Sequence, residues 1–218
     1  VGIAFGTIAN ADVDGAVLPG LLESKHKSLA QFASGYVRGR YHDRGWQWVD
    51  NLKTGQWSPD QIGQLLSFLP FTSDAWDRSG RLLGQDESAY WTKTAANPYQ
   101  AESGLSIAVD RLLRYGRPLA AMRCIHKMLY DGQAIESAMA VKVLREVRQS
   151  SEDIRSGDAH EIAEIIGALQ NDPQTNADDL SLVEWAYLPL LDGHSRASPR
   201  VLEQRLAEDP RFFCELIR

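Results

Sequence analysis

Residues 104–147 read GLSIAVDRLLRYGRPLAAMRCIHKMLYDGQAIESAMAVKVLREV, and the fold of the chain turns on this stretch. Leu105, Ala108, Val109, Leu112 and Leu113 recur at the spacing of one face of a 3.6-residue helix. Gly116 suits the left-handed residue that closes a helix, and Pro118 suits the first turn of the next. The second segment presents Ala121, Met122, Ile125, Met128 and Leu129, until Asp131-Gly132 breaks it. A third segment presents Ile135, Ala138, Val141, Leu144 and Val147. Three amphipathic helices joined by such short links lie antiparallel, and flanking chain must cover them.

Outward from this trio, the same signals recur toward the N-terminus. Ser58-Pro59-Asp60-Gln61 combines a serine N-cap, a proline at the first helical position and a glutamine for a capping box. Ile62, Leu65, Leu66 and Leu69 follow at helical spacing as far as Pro70. Thr72 is the expected cap of a helix carrying Trp76 and Leu83, and Asp86 opens a short one with Tyr90 and Trp91. Residues 25–44 form a long helix with Leu29, Phe32, Ala33, Tyr36, Val37 and Tyr41 on one face, ended by Gly45. A short helix with Trp48, Val49 and Leu52 follows, up to Gly55. A weaker helix begins near Asp12 or Asp14 and is interrupted at Pro19-Gly20. Residues 1–10, VGIAFGTIAN, read as a short strand or an irregular lead-in.

Toward the C-terminus, residues 149–157 form a polar linker. Asp158 and Glu161 read as a capping box for a helix burying Ala159, Ile162, Ala163, Ile166 and Leu169. The next helix, from about Asp179, buries Leu180, Val183, Tyr187 and Leu190, and Pro189 kinks or ends it. Ser198-Pro199 and Asp209-Pro210 each suggest a further start, and Phe213, Leu216 and Ile217 lie on the last helix. The expectation is an all-α protein: an irregular α-solenoid or multi-helical array of about eleven short antiparallel helices in one domain over residues 1–218. The start at Val1 without methionine and the stop just after Leu216-Ile217 suggest a piece of a longer protein.

Composition bounds the function. The chain is 44% hydrophobic and 24% charged, as a water-soluble globular protein is, and no apolar run approaches a membrane span. Residues 1–22 lack the basic start of a signal peptide. Cys124 and Cys214 each sit among apolar neighbours and read as buried thiols, which fits a reducing compartment, the cytoplasm. The net charge of −6 opposes non-specific DNA affinity. Within that acidic total, residues 25–48 carry five cationic side chains against Asp43 alone, whereas residues 151–218 carry 14 acidic and 6 basic side chains.

Three places were weighed as sites. The segment VRGRYHDRGWQW, residues 37–48, interleaves Arg38, Arg40 and Arg44 with Tyr41, Trp46 and Trp48. Cations among aromatics can hold phosphates and stack bases, but a solvated basic helix face with core aromatics gives the same pattern. Arg38, Arg40, Arg44, Trp46 and Trp48 are therefore the expected interaction surface. In DAHEIAE, His160 and Glu164 share a helix face at metal-ligand spacing, but no second histidine completes the zincin pattern and Glu161 reads as a cap. Cys124 and His126, two apart, point to different helix faces, with His126 expected at the surface. No glycine-rich phosphate loop, nucleophile elbow or paired-cysteine motif is present, so neither catalytic residue, metal nor cofactor is expected.

Leu69-Pro70-Phe71-Thr72 to Trp76, Tyr90-Trp91, Glu184-Trp185-Ala186-Tyr187-Leu188-Pro189 and Glu208-Asp209-Pro210 to Phe213 together resemble helical regions of very large, uncharacterised bacterial proteins. The likeness is to irregular helical repeats of tetratricopeptide or HEAT type, yet Trp76, Leu83-Gly84 and Tyr90 have the tetratricopeptide residue types at the wrong spacing. It implies a helical scaffold in a multidomain protein and carries no site residues. The functional expectation is a non-enzymatic scaffold or sensor module that binds a protein partner or a neighbouring domain of its own chain. A nucleic-acid-binding domain centred on residues 37–48 is the alternative.

Overall fold

The computed structural model describes residues 1–191, 197–209, 211, 212 and 214. Among these residues there are 13 α-helices, two 3-10 turns and no strand. Phe213, Leu216, Ile217 and Pro210, expected near the last helix, lie outside the described residues. No described helix is long and apolar enough to cross a membrane. The chain divides into two compact units, Val1–Gly104 and Leu105–Arg218, so residues 105–147 open the second unit while the first has a core of its own.

In the first unit, α1 (Gly2–Ile8) replaces the expected strand or lead-in. It packs on α3 (Lys27–Asp50) through glycines four apart on both helices. A Cβ on Gly6 would collide with the Tyr36 carbonyl, and one on Gly39 with the Ile3 carbonyl. Backbone lies directly on backbone, an arrangement that apolar content alone does not announce. Helix α2 (Ala11–Glu23) is capped by Asn10, whose side chain accepts from the Val13 N–H at 3.0 Å. It runs through Pro19 without the expected interruption, because the one bond lost is to the carbonyl of solvent-exposed Gly15. Helix α3 breaks at Gly45, as expected, and a second helical segment follows. That residue takes φ 57° and ψ −155°, and the helix resumes as far as Asp50.

The remaining helices of this unit are α4 (Pro59–Ser67), α5 (Ser73–Leu83) and α6 (Ser88–Trp91). The capping box at Ser58 forms as expected: Ser58 Oγ accepts from Gln61 N at 3.2 Å and Gln61 Oε1 from Ser58 N at 2.7 Å. Thr72 stands at the N-cap of α5 but makes no capping bond. Phe71, Trp76, Tyr90 and Trp91 are buried together, with Phe71 and Trp76 ring centroids 4.9 Å apart and those of Tyr90 and Trp91 5.1 Å apart. These tryptophans anchor helix packing, as their spacing suggested.

In the second unit the trio appears as α7 (Leu105–Arg114), α8 (Pro118–Tyr130) and α9 (Ser137–Gln149). Gly116 and Gly132 take φ 70° and 68° and close the first two helices. At each, the next residue's N–H returns to a carbonyl five back: Arg117 to Leu112 at 2.8 Å, and Gln133 to Met128 at 2.9 Å. Helix α9 starts two residues after Ile135, so Ala138 faces solvent and Ala140, Val141, Val143, Leu144 and Val147 form the buried face.

Helix α10 (Ser156–Asn171) corrects a second expectation. Arg155 is its N-cap and Asp158 the capping carboxylate, accepting from Arg155 N at 3.0 Å. Glu161 lies a turn further in and takes no part in the cap. Helix α11 (Ala177–Ala186), capped by Asn176, ends before Pro189, and α12 (Leu188–Leu191) is separate. The start of α13 (Arg200–Glu208) is satisfied from a distance, by fully buried Glu184 of α11, whose Oε2 accepts from Leu202 N at 2.6 Å.

Candidate functional site

The five residues expected to form one surface part company. Arg40 and Trp48 lie 5% and 6% exposed and turn inward to Asp14, itself 2% exposed. Asp14 Oδ1 accepts from Tyr36 Oη at 2.6 Å and Arg40 Nε at 2.9 Å. Its Oδ2 accepts from Arg40 Nη2 at 2.5 Å and Trp48 Nε1 at 2.9 Å. Arg40 Nη1 reaches the Ala9 carbonyl at 2.8 Å. A buried carboxylate with four donors ties α2 to both halves of α3, and Arg40 and Trp48 are thereby withdrawn from any docking surface. Burial, and then the bond to Asp14, push the Tyr36 hydroxyl well above its ordinary range.

Arg38, Arg44 and Trp46 stay accessible in differing degree. Arg44 is exposed and paired with Asp43 at 2.6 Å. Trp46, half-buried, presents itself edge-on to Tyr41 with centroids 5.0 Å apart, and the Arg78 guanidinium lies over its ring at 4.3 Å. Arg78 is held there by Asp50 at 2.7 Å, and that bond keeps the Asp50 carboxyl below the usual carboxylate range. Trp48 is therefore buried and one face of Trp46 is covered, which leaves the expected pair of stacking faces incomplete.

Arg38 lines a groove of about 820 Å³ confined to the first unit. Phe68, Leu69 and Pro70 give it apolar walls, joined by Ile3, which is 57% exposed. Arg38 and His42, one turn apart on α3, lie on the same helix face. Asn97, Gln100, Ser67 and Tyr41 add further polar groups to the lining. Concave surfaces with apolar walls and a few convergent polar groups are where ligands and peptide segments bind. His42, Asn97 and Gln100 were not singled out in the sequence. The Asn97-Pro98 turn that places the two amides was legible only as a turn.

The second unit assembles a cluster that the sequence kept apart. His126 of α8 is buried against α10, with Nε2 2.7 Å from Glu164 Oε2 and Nδ1 3.8 Å from Glu161 Oε1. His160 Nε2 stands 3.5 Å from the other oxygen of Glu164. Burial pushes the Glu161 carboxyl above its ordinary range, opposed by the nearby His126. The surface position expected for His126 is corrected. Its spacing of four from Met122 puts it on the rim of the apolar stripe, which was the one available signal. With both ring nitrogens turned to carboxylates, His126 serves to hold α8 to α10. His126→Ala should cost about 1–3 kcal/mol by removing the imidazole that bridges Glu161 and Glu164, whereas a surface histidine would cost almost nothing. Urea unfolding followed by circular dichroism measures it.

Among the described residues, no group of three or more His, Cys, Asp or Glu side chains is arranged to hold a metal ion. Cys124 is buried on α8, where burial pushes its thiol up to about 12, while Cys214 is exposed rather than buried as expected. No family model, curated protein or solved structure matches the chain.

Proposed function

We propose that the chain is a non-enzymatic helical interaction module, the scaffold or sensor part of a larger protein, and that the groove beside Arg38 is its contact surface. The observation that carries this reading is the groove itself: an 820 Å³ concavity with apolar walls and a rim of Arg38, His42, Asn97 and Gln100. The second unit supports a scaffold role. Its helices pack on the next and the next but one: α8 on α9 and α10, α9 on α10 and α11. That is the neighbour pattern of a short antiparallel array, the finer architecture we propose for this unit. The free thiols Cys124 and Cys214 suit the cytoplasm.

The nucleic-acid reading ranks second. It asks three arginines and two tryptophans to share a surface, and Arg40 and Trp48 are spent on Asp14.

Selection of random 12-residue peptides displayed on phage tests the module reading. Enrichment is expected, and it should be lost with Ile3→Asp, a change at an exposed position on the groove wall. Absence of any enrichment, or enrichment indifferent to that change, would sink the interaction reading.

A further inference from the structure

Between the apolar walls of the groove, Arg38 and the two side-chain amides offer hydrogen-bond donors. Gln100 spends its amide oxygen on the Phe71 N–H at 2.8 Å, which leaves its NH2 group to donate. Asn97 does likewise, its oxygen accepting from the Tyr99 N–H at 3.2 Å. Arg38 makes only a long bond, from Nε to the Phe68 carbonyl at 3.5 Å, so the outer face of its guanidinium remains available. None of the lining residues is acidic, in a chain whose net charge is −6. A donor-rich, carboxylate-free surface on an acidic protein calls for an acceptor-rich, anionic ligand.

Two classes of macromolecule answer that description, and the aromatic geometry separates them. Single-stranded nucleic acid needs open aromatic faces for its bases. One face of Trp46 is covered by the Arg78 guanidinium, and Trp48 is buried. What the groove offers beside Arg38 is mostly aliphatic surface, at Ile3, Leu69, Pro70 and Ala95, with the rings of Phe68 and Tyr41 among it. A peptide carrying both carboxylates and apolar side chains uses all of these features. Arginine is suited to take a carboxylate through two parallel bonds.

We infer that the groove binds an extended acidic peptide segment, with a carboxylate on Arg38 beside His42, an apolar side chain against Ile3 and Phe68, and backbone carbonyls on the Asn97 and Gln100 amides. This rests on the interaction reading above and names its partner class.

The test takes a peptide from the display selection and resynthesises it with every Asp and Glu changed to Asn and Gln. Binding of both forms, and of a 12-nucleotide oligothymidine, is measured by fluorescence polarisation at low and at physiological salt. The acidic form should bind, weakening with salt, and its amide form should bind at least about tenfold more weakly. Arg38→Glu should impose a similar loss, while Arg44→Glu, at an exposed residue outside the groove, should leave affinity within about twofold. Circular dichroism confirms that the variants are folded. Selected peptides without carboxylates, or equal binding of the amide form, would overturn the inference while leaving the interaction reading intact. Oligothymidine binding tighter than the peptide and dependent on Arg38 would overturn it in favour of nucleic acid.

Discussion

Asp14→Ala should destabilise the first unit by about 3–5 kcal/mol, the range for removing one partner of a buried ion pair. The Arg40 guanidinium would be left 5% exposed with its carboxylate gone, and the Tyr36 hydroxyl and Trp48 indole N–H would lose their acceptor as well. Much of the cost is this stranded charge, so it should shrink when the charge is also removed. Asp14→Leu combined with Arg40→Met should recover a large share of the loss, since replacing both partners with apolar groups is often close to neutral. Five of the six tryptophans lie in residues 1–104, so urea unfolding followed by tryptophan emission reads this unit selectively. A loss under about 1 kcal/mol for Asp14→Ala would mean that water reaches the pair and that the tie is a surface one.

In the second unit the largest expected loss follows Leu112→Ala, about 2–5 kcal/mol, the range for a buried leucine truncated to leave a cavity. Leu112 is fully buried on α7, the helix that packs on α8. Set against a total stability of about 5–15 kcal/mol for a domain, this is a substantial fraction. Ile107, on the same helix but 57% exposed, supplies the control: Ile107→Ala should stay within about 0.5 kcal/mol. Because the chain forms two compact units, circular dichroism need not show a single transition, and the shift should appear in the component that tryptophan emission does not follow. Equal costs for Leu112→Ala and Ile107→Ala would show that α7 is not packed on its apolar stripe.

Local chemistry was legible because it acts within a few residues. The Ser58-Gln61 box, the closures at Gly116 and Gly132 and the buried faces of α7 and α8 each rest on contacts that helix geometry imposes on neighbours in sequence. Where the reading failed locally, a competing local or tertiary term won. Residues 1–10 read as a short strand or an irregular lead-in, but glycines four apart let the backbone of α1 lie on that of α3. The helix at residue 156 began before its expected cap, which took Asp158 as N3 and released Glu161 from the role assigned to it.

The candidate site was legible in part. The basic character of residues 37–48 and the presence of Arg38 in it could be read directly, whereas the partner that neutralises Arg40 could not. Arg40 falls in the buried row of Ala33, Tyr36 and Val37, and Asp14, 26 residues away, is the counter-charge that lets it stay there. His126 and Glu164 are 38 apart, and Glu184 reaches Leu202 across 18 residues. The sequence by itself determined that this chain is helical and where most of its helices begin and end, because caps and periodicity are short-range. Which polar groups are buried in pairs and which remain to meet a partner was decided by tertiary structure alone, because a charge may leave water only where another helix brings its counter-charge within hydrogen-bonding distance.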